Sequence, residues 1–279
     1  MKKKWFAALV MVTLLCGGAF AAEEGKLVIN GSTTILPFAQ LASERFMENH
    51  PQVRISLSGG GSGNGIKALI DGTADIANAS RAMKDSEKEN AKKNGVEPFE
   101  TVVALDCIVA IVHPENEVKN LTLEQLKDIY TGKVENWKEV GGADSAIVVV
   151  GRDSSSGTYG TWQEMVVEKG DSKDNKSRVT AKAQVAASSG AMLSTVAGNK
   201  FAIGYDGIGY VDKTVRGLEV GGVAPTAENA EAGKYPLSRE LYMYTNGEPK
   251  GNVKAFMDFM LSDDGQKIVA ETGFIPVKK

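Results

Sequence analysis

At 279 residues, with 42% hydrophobic, 7% aromatic and 24% charged side chains, the chain can bury one large core or two smaller ones. Those proportions, with 31 Gly, 8 Pro and 2 Cys, exclude a disordered, collagenous or disulfide-scaffold protein. Basic residues number 32 against 35 acidic, a formal charge of −3, and no Lys/Arg block interleaved with aromatics stands in the body of the chain, which argues against a nucleic-acid partner.

The first segment, Met1–Ala21, has the pattern of a secretory signal peptide. Lys2, Lys3 and Lys4 precede an apolar run from Trp5 to Leu15, and Ala19-Phe20-Ala21 supplies an A-x-A cleavage pattern. The apolar run falls short of the ~20 residues that span a bilayer. Cys16 opens a lipoprotein alternative, but the bulky Leu15 before it suits lipoprotein processing poorly. Cleavage would remove three lysines and no acid, taking the formal charge from −3 to −6, so any anion site must be built from local groups. Cys107 would remain alone in an apolar run, as a small buried hydrophobe of a strand. The mature chain is expected to be soluble and periplasmic.

Strands and helices then alternate. Lys26–Asn30 reads as a strand, and Pro37 opens a helix with Phe38, Leu41, Ala42 and Phe46 on one face, ended by His50-Pro51. Val53–Ser58 is a strand, Gly59–Gly65 leads into a short helix carrying Ile66, Leu69 and Ile70, Ala74–Ala79 is a strand, and Asp85–Lys93 is a charged helix. This β-α-β-α-β-α order predicts a parallel sheet covered by helices. Thr101–His113 is too long for an ordinary strand, is interrupted at Asp106-Cys107, and reads as a crossing between two lobes. A second α/β lobe follows, with a helix over Leu123–Tyr130, a strand over Ile147–Val150, helices over Thr158–Glu168 and Met192–Ala197, a strand over Phe201–Tyr205, and a solvated loop over Lys169–Ser177. Leu237–Tyr244 is extended, and the helical run Asn252–Glu271 returns the chain to the first lobe. The predicted fold class is therefore α/β in two lobes, residues 22–108 with 235–279 and residues 109–234, joined by a two-strand hinge with a ligand cleft between them.

Four short segments share one composition: Gly31-Ser32-Thr33-Thr34, Gly59 to Gly65, Ala79-Ser80-Arg81, and Arg152 to Thr158. Each follows a predicted strand. Small hydroxyl and glycine residues at a helix N-terminus present backbone N–H groups and hydroxyl donors to one point, where the helix dipole favours an anion. Arg81 and Arg152 add guanidinium forks suited to a tetrahedral oxyanion. Any one of these segments alone is more simply an N-cap or a turn than a ligand site; four at strand carboxyl ends favour a joint anion site. Gly60–Lys67 fails as a Walker motif because Ile66 intervenes and Ala68 lacks the hydroxyl. No nucleophile elbow or zinc-protease motif is present, and His50 and His113 both precede proline. No cofactor or metal is required.

Taken together, Gly31-Ser32-Thr33-Thr34, Ser58 to Gly63, Ala79-Ser80-Arg81 and Arg152 with Ser156-Gly157-Thr158 resemble the periplasmic phosphate-binding proteins (PstS) of phosphate-specific ABC importers. The likeness extends to Asp258-Phe259, Gly265-Gln266 and Gly273-Phe274-Ile275-Pro276. The resemblance implies a type II periplasmic binding protein, monomeric, that closes on one orthophosphate and delivers it to a membrane permease. It implies ligand contacts from Ser32, Thr33, Thr34, Ser62, Ser80, Arg81, Arg152, Ser156, Gly157 and Thr158. Two positions depart from one branch of that family. Arg81 stands where that branch carries an aspartate that accepts the proton of HPO₄²⁻ and rejects sulfate, and Ser154 stands where it carries an acid. Asp106, in the interlobe crossing, is the candidate replacement acceptor, or else an ion-pair partner of Arg81 or Arg152. The other functions weighed are a receptor for sulfate, molybdate or tungstate, and a phosphate-ester hydrolase with Ser62 or Ser156 as nucleophile.

Overall fold

The architecture follows from the alternation read above, with antiparallel pairings at its centre that the alternation does not contain. The structure, a computed structural model, describes residues 25–172 and 174–277; the Met1–Ala21 leader and Cys16 lie outside the described residues. Strands β1 (Lys26–Gly31), β2 (Arg54–Gly59) and β3 (Ile76–Ala79) are parallel in the order β2-β1-β3, linked by helices α1 (Leu36–Asn49) and α2 (Ser62–Ile70). Phe38, Ala42 and Phe46 recur every fourth residue on α1 and are buried, while α2 turns Ile66, Leu69 and Ile70 inward. Helix α3 (Asp85–Lys93) carries Asp85 and Glu87 in its first turn and Lys92 and Lys93 in its last, which complements its dipole.

The apolar run at Thr101–His113 is one strand, β4 (Pro98–Val112), that Asp106-Cys107 does not interrupt. The next elements are β5 (Asn120–Leu121), α4 (Leu123–Thr131), β6 (Val148–Arg152), α5 (Gly157–Trp162), β7 (Gln184–Ala186), α6 (Ser189–Ala197), β8 (Ala202–Gly207), β9 (Arg216–Gly217), β10 (Glu219–Val220), α7 (Ala227–Glu231), β11 (Ser238–Asn246), α8 (Gly251–Met260) and α9 (Asp263–Glu271). The main sheet runs β2-β1-β3-β11-β4-β8-β6-β7, with β9 on the side of β4, and β5 pairs with β10 separately. β11 is antiparallel to both β3 and β4, and β8 is antiparallel to β4, whereas β8, β6 and β7 are mutually parallel. β4 pairs with β11 over its first part and with β8 from Ile108 onward, so one strand serves both halves of the sheet.

The segment expected as one helix over Thr158–Glu168 is α5 followed by a π-helical turn, Gln163–Val167, closed by the Glu168 N–H donating to the Gln163 carbonyl at 2.8 Å. The C-terminal run is two helices, because Ser262 caps α9 by accepting from the Gly265 N–H at 3.2 Å. Both pack on α1. Phe46 meets Phe256 edge-on at 5.4 Å and Phe38 meets Phe274 at 5.3 Å. The loop expected to be solvated at Lys169–Ser177 is tethered by Asp171, which accepts from Lys127 Nζ at 2.5 Å and from the Ser177 N–H at 2.6 Å. Two large apolar clusters lie at opposite ends of the sheet: one around Ile108–Val112, Trp137, Trp162 and Tyr205, the other around Leu27, Ile29, Phe38, Phe46 and Phe256. No helix among the described residues is long and apolar enough to cross a membrane.

Candidate functional site

The hydroxyl-rich turns meet between the two apolar clusters because each follows the carboxyl end of a strand. Gly31 ends β1 with φ 141, and a Cβ there would lie 2.1 Å from the Asn78 carbonyl oxygen. This close approach lets the Ser32 N–H bond that carbonyl at 2.8 Å, and Ser32 Oγ accepts from the Thr34 N–H at 3.2 Å. Ser32 thus shapes the turn that delivers Thr33 and Thr34 to the start of α1. Gly61, at φ 97, turns the chain into α2 and leaves Ser62 as the first helical residue. Ser62 Oγ accepts from the Ser80 N–H at 3.0 Å and lies 3.3 Å from Ser80 Oγ.

The other side is built on β6 and α5. Ser156 caps α5 by accepting from the Tyr159 N–H at 3.1 Å, which places Gly157 and Thr158 in its first turn. Thr158 Oγ1 lies 2.9 Å from Thr34 Oγ1 and 3.4 Å from Ser80 Oγ. Gly157 is pressed so close that an added Cβ would fall 2.2 Å from Ser62 Oγ and 2.6 Å from Ser80 Oγ. Ser155 completes the seam, with its carbonyl accepting from the Gly63 N–H at 2.9 Å and its hydroxyl oxygen 3.1 Å from the Gly60 carbonyl oxygen. Ser154 is exposed, and Asp153 is spent locally on the N–H and hydroxyl of Ser155.

Arg152 is 4% exposed and ends β6. Its Nε donates to the Ala186 carbonyl at 2.9 Å, Nη1 to Ser189 Oγ at 3.4 Å and Nη2 to Thr33 Oγ1 at 3.2 Å. No carboxylate is within ion-pairing distance of Arg152 among the described residues. A buried guanidinium held only by neutral oxygens keeps a strong positive field in the cluster, the condition for taking up an anion.

Arg81, the other guanidinium expected at the ligand, is placed differently. It pairs bidentately with Glu87 through two 2.7 Å contacts, and with the Lys84 N–H it holds the Glu87 carboxyl below the ordinary carboxylate range despite burial. Its fork is thereby directed at the start of α3. Asp106 has neither expected arginine as partner. It faces Arg239, its register partner across β4 and β11, whose Nε and Nη2 donate to Oδ2 at 2.9 and 2.6 Å, while Oδ1 accepts from the Ile208 N–H at 2.9 Å. Burial pushes the Asp106 carboxyl upward, with Arg239 pulling against it. Arg239 Nη1 also reaches the Ser80 carbonyl at 3.0 Å and Thr158 Oγ1 at 3.1 Å, so the pair borders the cluster.

Three residues of this cluster have no place in the sequence reading: Ser189, Asp206 and Arg239. Ser189 opens α6; its N–H donates to Thr33 Oγ1 at 3.2 Å, and its Oγ is 3.4 Å from the same atom. Its local signal was present, since Ser188-Ser189-Gly190 repeats the composition of the other turns. The strand before it, β7, has Val185 66% exposed and lacks the apolar run that marks a buried strand. Asp206 is fully buried on β8, and Arg239 lies on β11; neither stands in a hydroxyl-rich turn. Ser62 and Ser156 contact hydroxyls and backbone groups. His50 stacks on Phe46, and His113 Nδ1 accepts from the Glu115 N–H.

Comparison with known proteins places the chain in a family. Residues 19–264 match the family model of the PBP superfamily domain. The phosphate-binding protein PstS of Bacillus subtilis (strain 168) is 34% identical, across 97% of this chain and 91% of that protein. The chain belongs to the PstS family of the PBP superfamily. The Borreliella burgdorferi PstS is 32% identical over the whole of both chains. Among solved structures, a phosphate ABC transporter substrate-binding protein of Clostridium perfringens, determined with phosphate bound, superposes with a TM-score of 0.83 at 40% identity, covering 91% of this chain and all of that one. An ABC-type phosphate transport receptor of Vibrio cholerae gives 0.72 at 34% identity, covering 89% of this chain and 99% of that one. The hydroxyl-lined Arg152 cluster is thus set in a PstS fold, with Arg81 turned to Glu87 and Asp106 to Arg239.

Proposed function

We propose that this protein is an extracytoplasmic receptor that binds inorganic orthophosphate at the Arg152 cluster and delivers it to the membrane permease of an ABC importer. The observation that carries the reading is Arg152 itself: a buried guanidinium with no carboxylate at ion-pairing distance among the described residues, in contact with Thr33 and Ser189, inside a chain of the PstS family. Hydroxyls are both donors and acceptors and can rotate from one another to an anion. About eight such donors at ~1 kcal/mol net, with more from the arginine, cover the roughly −8 kcal/mol of a micromolar complex even after closure and desolvation.

In this reading residues 22–108 with 235–279 form one lobe and residues 109–234 the other, with β4 and β11 as the linking strands. Thr33, Thr34, Ser62 and Ser80 contribute from the first lobe, and Arg152, Gly157, Thr158 and Ser189 from the second. A ligand that contacts both biases the molecule toward the closed form, and that shape is what a permease can distinguish. The leader Met1–Ala21 directs export, and the mature protein acts as a free monomer in the periplasm. A hydrolytic role is disfavoured because, among the described residues, Ser62 and Ser156 have no base within hydrogen-bonding reach.

Calorimetric titration of residues 22–279 with phosphate and, separately, with sulfate tests the proposal. A saturable response to phosphate that sulfate does not match is expected. A response to sulfate alone, or to neither anion, would overturn it.

A further inference from the structure

Arg239 borders the cluster yet adds little to its attraction for an anion, because a carboxylate neutralises it. Its side chain is 5% exposed, and Nε and Nη2 both donate to Oδ2 of the wholly buried Asp106. This two-point pairing cancels the charge and fixes the plane of the guanidinium. The remaining nitrogen, Nη1, donates to the Ser80 carbonyl at 3.0 Å and to Thr158 Oγ1 at 3.1 Å. One nitrogen thus joins the turn after β3 to the first turn of α5, on the two sides of the cluster.

The chemistry of that nitrogen sets the direction of a hydrogen bond. A guanidinium donates and never accepts, so Thr158 Oγ1 accepts from Arg239 and its single proton is left for another oxygen. The oxygens in reach are Thr34 Oγ1 at 2.9 Å and Ser80 Oγ at 3.4 Å, both hydroxyls that are able to rotate away. Thr33 is held in the same way elsewhere in the cluster: Arg152 Nη2 and the Ser189 N–H both donate to its Oγ1, which leaves its proton to donate. The difference between the two arginines is charge. Arg152 has no carboxylate at ion-pairing distance among the described residues and supplies a field, whereas Arg239 is neutralised and supplies direction.

We propose that Arg239 is a positioning residue of the anion site, holding Thr158 Oγ1 with its proton directed at the bound oxyanion while Asp106 keeps the local charge at zero. The inference rests on the phosphate-receptor reading. An unprotonated oxyanion oxygen offers only acceptors, so a threonine whose oxygen already accepts from a guanidinium meets it with the proton and has no need to reorient on binding. Donation from the guanidinium also polarises the Thr158 O–H and strengthens its bond to the anion. A Thr158 freed from Arg239 is able to turn its lone pairs toward the anion instead, which costs affinity with no change in net charge when Asp106 is neutralised at the same time.

Calorimetric phosphate affinities of the wild type, Thr158→Val, the charge-neutral exchange Asp106→Asn with Arg239→Gln, and the triple variant test the assignment, with a urea midpoint for each. The exchange should weaken phosphate binding roughly tenfold, Thr158→Val by a similar factor, and the triple variant should bind no more weakly than Thr158→Val alone. A merely structural role would lower the urea midpoint in both Thr158 backgrounds and leave the affinity unmoved. Wild-type affinity in the exchange, or losses that multiply in the triple variant, would overturn the inference while phosphate binding by the wild type stands. Wild type that fails to bind phosphate would instead remove the reading beneath it, and the assignment with it. Should the exchange not fold, Arg239→Lys decides, because an ammonium keeps the charge opposite Asp106 but cannot hold Asp106, Ser80 and Thr158 at once. Arg239→Lys should also bind phosphate roughly tenfold more weakly. Full affinity in Arg239→Lys, or a loss that persists undiminished when Thr158 is valine, would refute the role.

Discussion

Arg152 and Asp206 are buried charges of opposite sign that do not form a close ion pair, and their separate behaviour can be measured. Removing the Arg152 fork deletes donors aimed at the cluster and the charge that makes it attractive to an anion. Arg152→Ala should weaken phosphate binding about a hundredfold, and Arg152→Lys should recover only part of it, because an ammonium cannot span Thr33 and Ser189 together. Isothermal titration of the three proteins checks this order. Asp206 carries a pH signature. Its folded-state pKa lies near 6, above the ordinary 3.8, chiefly because burial disfavours the charge, with Ser189, Gly207 and Arg152 opposing and Asp106 reinforcing the shift. A raised carboxylate stabilises the fold below the ordinary value and loses that contribution as the pH climbs through about 6. Relative to Asp206→Asn, the ligand-free wild type should lose about 2 kcal/mol between pH 4 and pH 7, as read by urea denaturation.

Among the elements, the turn-to-helix junctions set the tolerance of the site. α5 begins with Gly157 against Ser62 and Ser80, and Ser62 Oγ is fixed by the Ser80 N–H, so a methyl group at this position has nowhere to go while the two sides remain in contact. Gly157→Ala is expected to lower phosphate affinity more than tenfold. Unfolding stability should change by less than about 1 kcal/mol, since separation of the two sides relieves the clash and Ala favours the helix. A fall in stability without a fall in affinity would contradict that placement. The junctions were legible from sequence because their chemistry is local: glycine for the turn, a hydroxyl for the cap, an apolar period behind it. Ser189 escaped because the strand before it lies exposed at the sheet edge, and Arg239 because a polar residue on a strand ordinarily points to solvent.

At the scale of the whole molecule, β4 and β11 join the two apolar clusters, and the Asp106–Arg239 pair bridges these strands at the level of the ligand cluster. Breaking a buried pair leaves an uncompensated charge. Asp106→Asn should therefore destabilise the protein by about 3 kcal/mol, observed as a lowered urea midpoint for the transition. The alternation of apolar runs and turns, both ends of the α1 core and the composition of the site turns belong to the sequence alone, because each depends on spacing within one element. The antiparallel course of β11 between β3 and β4, the commitment of Arg81 to Glu87 and the pairing of Asp106 with Arg239 belong to the tertiary structure. Strand order and the partner of a buried charge depend on residues far apart in the chain, whose proximity is fixed only when the sheet assembles and water is excluded from between them.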